Sequence, residues 1–213
     1  MSNAVWTDQP VGWALYGTQQ TENANEIYNY LINHGASTTA AYAIIGNMTW
    51  ESNLNPGQWE INSNYDPSAG FGLGQWTPST KISNVYGTGR LQMMNIQNQL
   101  DFLITNNPNQ WSTRFVDQAT NWSNYYSTNV PYFATFQDFL TDTTYPQDMM
   151  TKAYMACWER PNNQRAHIQE RIDYANHWAG NPPGPGPGPT PVITPAILIA
   201  ILAKKAQLWR MKL

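Results

Sequence analysis

A run of prolines and glycines divides this chain into two parts. Residues 181–191 read NPPGPGPGPTP, and a segment of this composition forms neither helix nor sheet, so we expect an extended spacer. The body before it, residues 1–180, carries 14 acidic and 7 basic residues. The tail after it, residues 192–213, carries four basic residues and no acidic one. This asymmetry of charge indicates separate roles for body and tail.

The polar residues of the chain are mostly uncharged. Hydrophobic residues make up 41% of the 213 residues, which is enough for a folded core. Only 12% of the residues are charged, whereas the chain contains 23 Asn, 15 Gln, 10 Trp and 12 Tyr. Amides and aromatic rings suit sugars, which offer hydroxyl groups to the amides and apolar faces to the rings. A net charge of −3, with no basic cluster in the body, disfavours nucleic acid as a partner.

The body has a mainly helical pattern. Apolar residues at helical spacing, with start and stop signals around them, predict helices over residues 22–33, 37–51, 90–106, 146–158 and 164–178. Ser37 and Pro146 are typical first residues, and the Asn-His-Gly run at 33–35 is typical of a helix end. Residues 52–89 and 107–145 are rich in helix breakers, so we expect loops or short strands there.

Glu51 is the most informative single residue of the second predicted helix. It continues an apolar stripe formed by Ala41, Ile44 and Met48, so its carboxyl group should face the interior. The last turn of a helix is also the negative end of its dipole, and no Lys or Arg precedes Lys81 in the sequence. Both effects favour a neutral acid, the form that a glycosidase uses to protonate a leaving oxygen. The alternative is a surface glutamate turned into solvent by the loop that follows it.

Two sequence blocks carry a family resemblance. Residues 43–57 read AIIGNMTWESNLNPG, and residues 70–78 read GFGLGQWTP. In this order they resemble the bacteriophage tail lysozyme family, within the wider group of lysozymes and lytic transglycosylases, and residues 154–161, YMACWERP, resemble a helical segment of the same family. The resemblance implies an α+β, mostly helical, lysozyme-like body with a small β region, to which the sequence adds a hydrophobic C-terminal helix.

The resemblance also implies a set of functional residues. It makes Glu51 the catalytic acid and places Gln75 and Trp76 in a sugar cleft. Asn53, Tyr65 and Trp59 are further candidates for contact with the substrate. Animal-type lysozymes carry an Asp where this chain has Gly70, so Asp66 and, less strongly, Glu60 are the acids close enough in sequence to supply a second carboxylate. Any of these tryptophans could instead fill the core.

The activity implied is that of a virion-associated muramidase, which hydrolyses the β-1,4 bond between N-acetylmuramic acid and N-acetylglucosamine of peptidoglycan. A lytic transglycosylase acting on the same bond and a non-catalytic tail or wall-binding module are alternatives. A cysteine amidase using Cys157 with His167 or His177 is a third, although Cys157 lies on an apolar helical face with Met150 and Tyr154 and is expected to be core. No metal or organic cofactor is expected.

The tail combines an apolar segment with basic residues. Residues 196–203 are apolar on every side, but the whole segment 192–203 numbers only 12 residues, short of the ~20 needed to cross a bilayer. Lys204, Lys205, Trp209, Arg210 and Lys212 follow and are typical of an interfacial anchor. We expect this helix to lie in an apolar socket of a virion protein, with a membrane surface as the alternative. The amino end has no features of a signal peptide, which fits delivery to the cell wall by a phage tail.

Overall fold

The computed structural model describes residues 17–60, 66–106, 110–111, 130–161 and 167–182. Three expectations lie outside these residues: the position of Tyr65, the spacer from residue 183 onward, and the tail helix of residues 192–213.

The described body is built from helices and two π-helical segments. In chain order the elements are α1 (Thr18–Asn33), α2 (Thr38–Ser52), α3 (Thr80–Tyr86), α4 (Arg90–Met93), α5 (Ile96–Asp101), the π-helical segment π1 (Phe102–Asn106), α6 (Phe136–Thr141), α7 (Gln147–Tyr154), the π-helical segment π2 (Met155–Glu159) and α8 (Ile168–Gly180).

The junction between the first two helices follows the sequence signals. Helix α1 ends at Asn33, and Gly35 then takes a φ of 88°, a left-handed conformation that glycine adopts without strain. The Ser37 hydroxyl accepts a hydrogen bond from the Ala40 amide at 3.1 Å and so caps the start of α2. The predicted helix end and the predicted N-cap are both confirmed.

The single helix predicted over residues 90–106 is wrong. The chain leaves the helical conformation at Asn95, whose ψ is 121°, and the Asn95 side chain accepts a hydrogen bond from the Asn98 amide that starts α5. An asparagine side chain competes in this way with the helical backbone, which divides the segment into α4, α5 and π1. The predicted core residues Met93, Ile96, Leu100 and Leu103 are nevertheless buried.

Two short helices lie where loops or strands were expected. Helix α6 begins with a reciprocal cap, in which Thr135 and Asp138 each accept a hydrogen bond from the other's backbone amide. Helix α3 follows Pro78 and Ser79. These two helices have seven and six residues, which is too few for a clear apolar period. The sequence therefore predicted loops or short strands throughout residues 52–89 and 107–145.

The expected small β region is reduced to isolated bridges. Phe71 forms antiparallel bridges with Trp59 and with Trp76, and the described residues contain no extended strand. The mostly helical character is confirmed. Within the same residues, none of the helices is both long and apolar enough to span a membrane.

Helix α2 is the centre of the core. Each of its residues from position 40 to 49 is buried, and it packs against α1, α7 and most extensively α8. Gly46 marks the crossing with α8: a Cβ atom there would lie 2.7 Å from the Ala175 Cβ and 2.7 Å from the Arg171 carbonyl oxygen. The missing side chain therefore lets the two helix backbones approach closely enough to place Arg171 beside the end of α2.

We expect Gly46→Ala to destabilise the protein by about 1–3 kcal/mol, because the added methyl group meets backbone atoms of α8. Alanine has a better helix propensity than glycine by about 1 kcal/mol, which offsets only part of this cost. Thermal unfolding measures the effect. Gly180→Ala is the matched control, since a Cβ at Gly180 meets nothing within 4 Å. Equal melting temperatures for the two variants would contradict the close helix crossing.

Candidate active site

Glu51 lies in the last turn of α2 and forms an ion pair with α8. Its Oε1 accepts a hydrogen bond from Arg171 Nη2 at 2.5 Å. The Glu51 side chain is 19% exposed and that of Arg171 only 1%, so a buried cation holds a carboxylate that still reaches solvent. An ion pair with a buried member contributes more to orientation than a surface pair, because water screens it less. The pair therefore fixes the position of the Glu51 carboxylate.

Asn47, one helical turn before Glu51, keeps Arg171 in place. Its Oδ1 accepts a hydrogen bond from Arg171 Nη1 at 3.0 Å. Its Nδ2 donates to the carbonyls of Ala43 at 2.8 Å and Thr151 at 3.3 Å, so its amide links α2, α7 and α8. Asn47 and Glu51 thus give the guanidinium group a neutral and an anionic partner on the face of α2 that meets α8.

This geometry corrects the electrostatics predicted from the sequence. The sequence offers no basic residue near Glu51 along the chain, and the structure supplies a spatial partner, because Arg171, 120 residues away in the chain, binds its carboxylate. One signal for Arg171 was present, because it lies on the same helical face as the predicted core residues Ile168 and Ala175.

A second carboxyl group and a phenol share this environment. Glu159 lies in the third sequence block, at the end of π2. Burial and the charge of Glu51 raise the pKa of its carboxyl group well above its usual range, against the opposing charges of Arg171 and Arg160. The pKa of Tyr154 is raised in the same way, by burial and by the charges of Glu159 and Glu51, with Arg171 opposing. Sequence reasoning missed Glu159, although the block that contains it was part of the family resemblance.

The glycine-rich loop, residues 70–78, lies against the end of α2. Ser52 joins the two, since its hydroxyl donates to the carbonyls of Met48 at 3.1 Å and Leu73 at 3.0 Å. Gln75, half-buried, uses its amide nitrogen within the loop region, donating to the carbonyls of Gln58 at 3.2 Å and Gly72 at 3.1 Å. The Gln75 amide group, which the sequence places in the sugar cleft, therefore also holds the loop together.

The tryptophans proposed as stacking surfaces lie in the core. Trp76 is 2% exposed and meets the Phe102 ring edge to face at 6.1 Å, so the prediction that it offers a stacking face to a sugar is wrong. Trp59 is also buried and lies against Phe71, with 4.7 Å between ring centroids. Of the loop glycines, Gly74 lies against the indole, whereas the Gln99 side chain lies against Gly72.

Asn53 and the two neighbouring acids have local structural partners. Asn53 is buried in a left-handed conformation at the end of α2, where its side-chain oxygen accepts a hydrogen bond from Gln20 of α1. Asp66 is exposed and accepts hydrogen bonds from the hydroxyl group and the amide of Ser68, which lower its pKa. Glu60 is exposed, and one of its carboxylate oxygens accepts from the Gly70 amide at 3.0 Å. These contacts shape a turn and a loop, and they bring neither acid to Glu51.

Cys157 is buried, as predicted, and burial raises the pKa of its thiol to about 12. A thiol with such a pKa supplies almost no thiolate at neutral pH, which argues against a cysteine amidase. His167 lies at the start of α8, where it stacks on Trp50 with 4.2 Å between ring centroids and faces Glu170 at 3.3 Å. Neither of these contacts joins it to Cys157.

Comparison with known proteins agrees with the sequence blocks. The family model described as phage tail lysozyme matches residues 22–181. The chain is also 32% identical over 160 residues to morphogenesis protein 1 of Bacillus phage B103; the match covers 75% of this chain and 39% of that relative. The chain thus spans about two-fifths of the length of the curated relative. Because the family model covers most of the folded body, this chain belongs to the phage tail lysozyme family.

Proposed function

We propose that this chain is a peptidoglycan glycosidase that cleaves the β-1,4 bond between N-acetylmuramic acid and N-acetylglucosamine. The observation that carries the proposal is Glu51, a partly exposed carboxylate at the end of a buried helix, oriented by a buried arginine in a chain of the tail lysozyme family. A carboxyl group fixed in this manner is suited to proton transfer at a bound substrate.

In the proposed reaction the Glu51 carboxyl group takes up a proton from solvent through its exposed part before the substrate binds, and it gives that proton to the glycosidic oxygen as the bond breaks. Sugar rings that cover the exposed part of the site remove water from it, which strengthens every electrostatic interaction there. Arg171 keeps the carboxyl group in one orientation throughout. With Asp66 and Glu60 engaged in local turns, the attacking group is best supplied by water or by a hydroxyl group of the sugar itself. The first gives hydrolysis and the second gives transglycosylation.

We further propose that the chain acts from the virion and opens the cell wall for genome delivery. The family is named for phage tails, and the relative in Bacillus phage B103 is named a morphogenesis protein, which supports a place in the particle. The apolar tail, residues 192–213, would then contact a socket in another virion protein.

Mass spectrometry of the fragments released from purified peptidoglycan tests the proposed activity. We expect fragments that end in N-acetylmuramic acid with a free reducing end, because water completes a hydrolysis. Anhydro ends would instead establish a transglycosylase. A folded protein that releases no fragments would contradict the glycosidase and favour the non-catalytic tail module.

A further inference from the structure

Gln99 of α5 is a buried amide that binds three backbone groups. Its Oε1 accepts a hydrogen bond from the Leu73 amide at 2.8 Å, and its Nε2 donates to the carbonyls of Pro56 and Met93, each at 2.7 Å. A side-chain amide can do this because it carries an acceptor oxygen and two N–H donors on one planar group. Polar networks that are buried and fully paired favour a single arrangement of the segments they join.

The three partners of Gln99 belong to three separate segments beside the candidate site. Leu73 is in the glycine-rich loop, Pro56 is in the chain that leaves α2, and Met93 is the last residue of α4. Gly72 shows how closely the loop approaches, since a Cβ atom there would collide with the Gln99 side chain and its φ of 80° suits a glycine. The loop therefore lies directly on the Gln99 amide.

The backbone of Leu73 is held from two directions. Its amide donates to Gln99, and its carbonyl accepts a hydrogen bond from the Ser52 hydroxyl group at 3.0 Å. Leu73 is fully buried, so these groups need partners within the protein. Because Ser52 directly follows Glu51 in the chain, the two hydrogen bonds link α5 through the loop to the residue next to the proposed acid.

We propose that Gln99 is a positioning residue that sets the distance between the glycine-rich loop and Glu51 for binding of the sugar chain. The inference rests on the proposed function, with Gln75 as a contact of the sugar chain, the role that the family resemblance implies. Gln75 lies two residues after Leu73 in the same loop, so a displacement of Leu73 moves Gln75 as well. Gln99 itself is buried and acts only through this loop.

A loss of this support should affect substrate binding more than the chemical step. Glu51 has its own anchor, the hydrogen bond from Arg171, which does not pass through the loop. The loop carries contacts that hold the sugar chain before and during the reaction. An interaction of that kind lowers KM and leaves kcat largely unchanged.

Gln99→Met tests this role, because methionine has a similar length but no polar group to bind the loop. We expect KM for soluble glycan strands from peptidoglycan to rise about tenfold, the effect of one lost hydrogen bond, with kcat changed by less than about threefold. Gln97→Met is the matched control, since Gln97 is exposed on the same helix, and it should keep the wild-type KM. Thermal unfolding establishes that each variant is folded.

Gln99→Glu provides a milder change if the methionine variant fails to fold. A carboxyl group buried among carbonyl oxygens stays protonated, so it keeps one donor and one acceptor of the original amide. We expect its KM to lie between those of the wild type and Gln99→Met, again with kcat nearly unchanged.

Hydrogen exchange followed by NMR tests the link between Gln99 and the loop without any substrate. We expect the Leu73 amide to be protected in the wild type and in Gln97→Met. In Gln99→Met or Gln99→Glu it should exchange at least about tenfold faster, a larger change than for the Ala43 amide in the middle of α2.

Two results would overturn the inference. One is a folded Gln99 variant with the KM of the wild type. The other is a Leu73 amide that exchanges as fast in the wild type as in the Gln99 variants. If no variant cleaves glycan strands and Leu73 exchanges as expected, the proposed function fails while Gln99 remains the support of the loop.

Discussion

Glu51→Gln is expected to lower the rate of peptidoglycan cleavage by about 10²–10⁴-fold, the usual contribution of a general acid. Glutamine preserves the shape of the side chain but has no proton to give to the leaving oxygen. Its amide can still accept a hydrogen bond from Arg171, so the loss should come from the missing acid more than from a displaced side chain. Release of soluble fragments from purified cell walls measures the rate.

The control for this variant is Cys157→Ser. It changes a buried thiol that the proposed reaction does not use, so fragment release should continue at a rate close to that of the wild type. If Cys157→Ser abolished activity and Glu51→Gln retained it, the chain would be an amidase of the kind left open from the sequence. A folded Glu51→Gln variant with the wild-type rate would remove Glu51 from the mechanism.

Arg171→Met is expected to destabilise the protein by about 3–5 kcal/mol, the cost of breaking a buried ion pair by removing one partner. Methionine fills much of the same volume but leaves the Glu51 carboxylate without its cation and Asn47 Oδ1 without its donor. Chemical denaturation measures the free energy of unfolding. Cleavage activity should fall as well, because the Glu51 carboxylate loses the group that orients it.

A second substitution isolates the charge from the packing. The double variant Glu51→Gln, Arg171→Met removes both members of the pair, and we expect it to be more stable than Arg171→Met alone. Arg90→Met is the matched control on the exposed surface of α4 and should change the unfolding free energy by less than about 0.5 kcal/mol. An Arg171→Met variant as stable as this control would contradict a structural role for the ion pair.

The sequence located the helix that carries the site and misjudged the loop beside it. Helix α2 was predictable because Ser37 caps it and because its apolar residues follow a helical period. The loop of residues 70–78 was identified as important, but glycine content alone does not reveal the occupant of the space that glycines create. In this protein the Gln99 side chain lies against Gly72 and the Trp76 indole against Gly74, and the Ser52 hydroxyl group joins the loop to the end of α2.

Local sequence determined the start and end of α2, the family of the chain and the inward position of Glu51 on the face of Met48. The bounds of α2 and the position of Glu51 depend on residues within a few helical turns of one another, and the family depends on short blocks read in their order along the chain. Only the tertiary structure decided which cation lies beside Glu51, because Arg171 binds it from a segment 120 residues away. That meeting depends on the close crossing of α2 and α8 at Gly46 and Ala175, and helical periodicity specifies a buried face without specifying its partner.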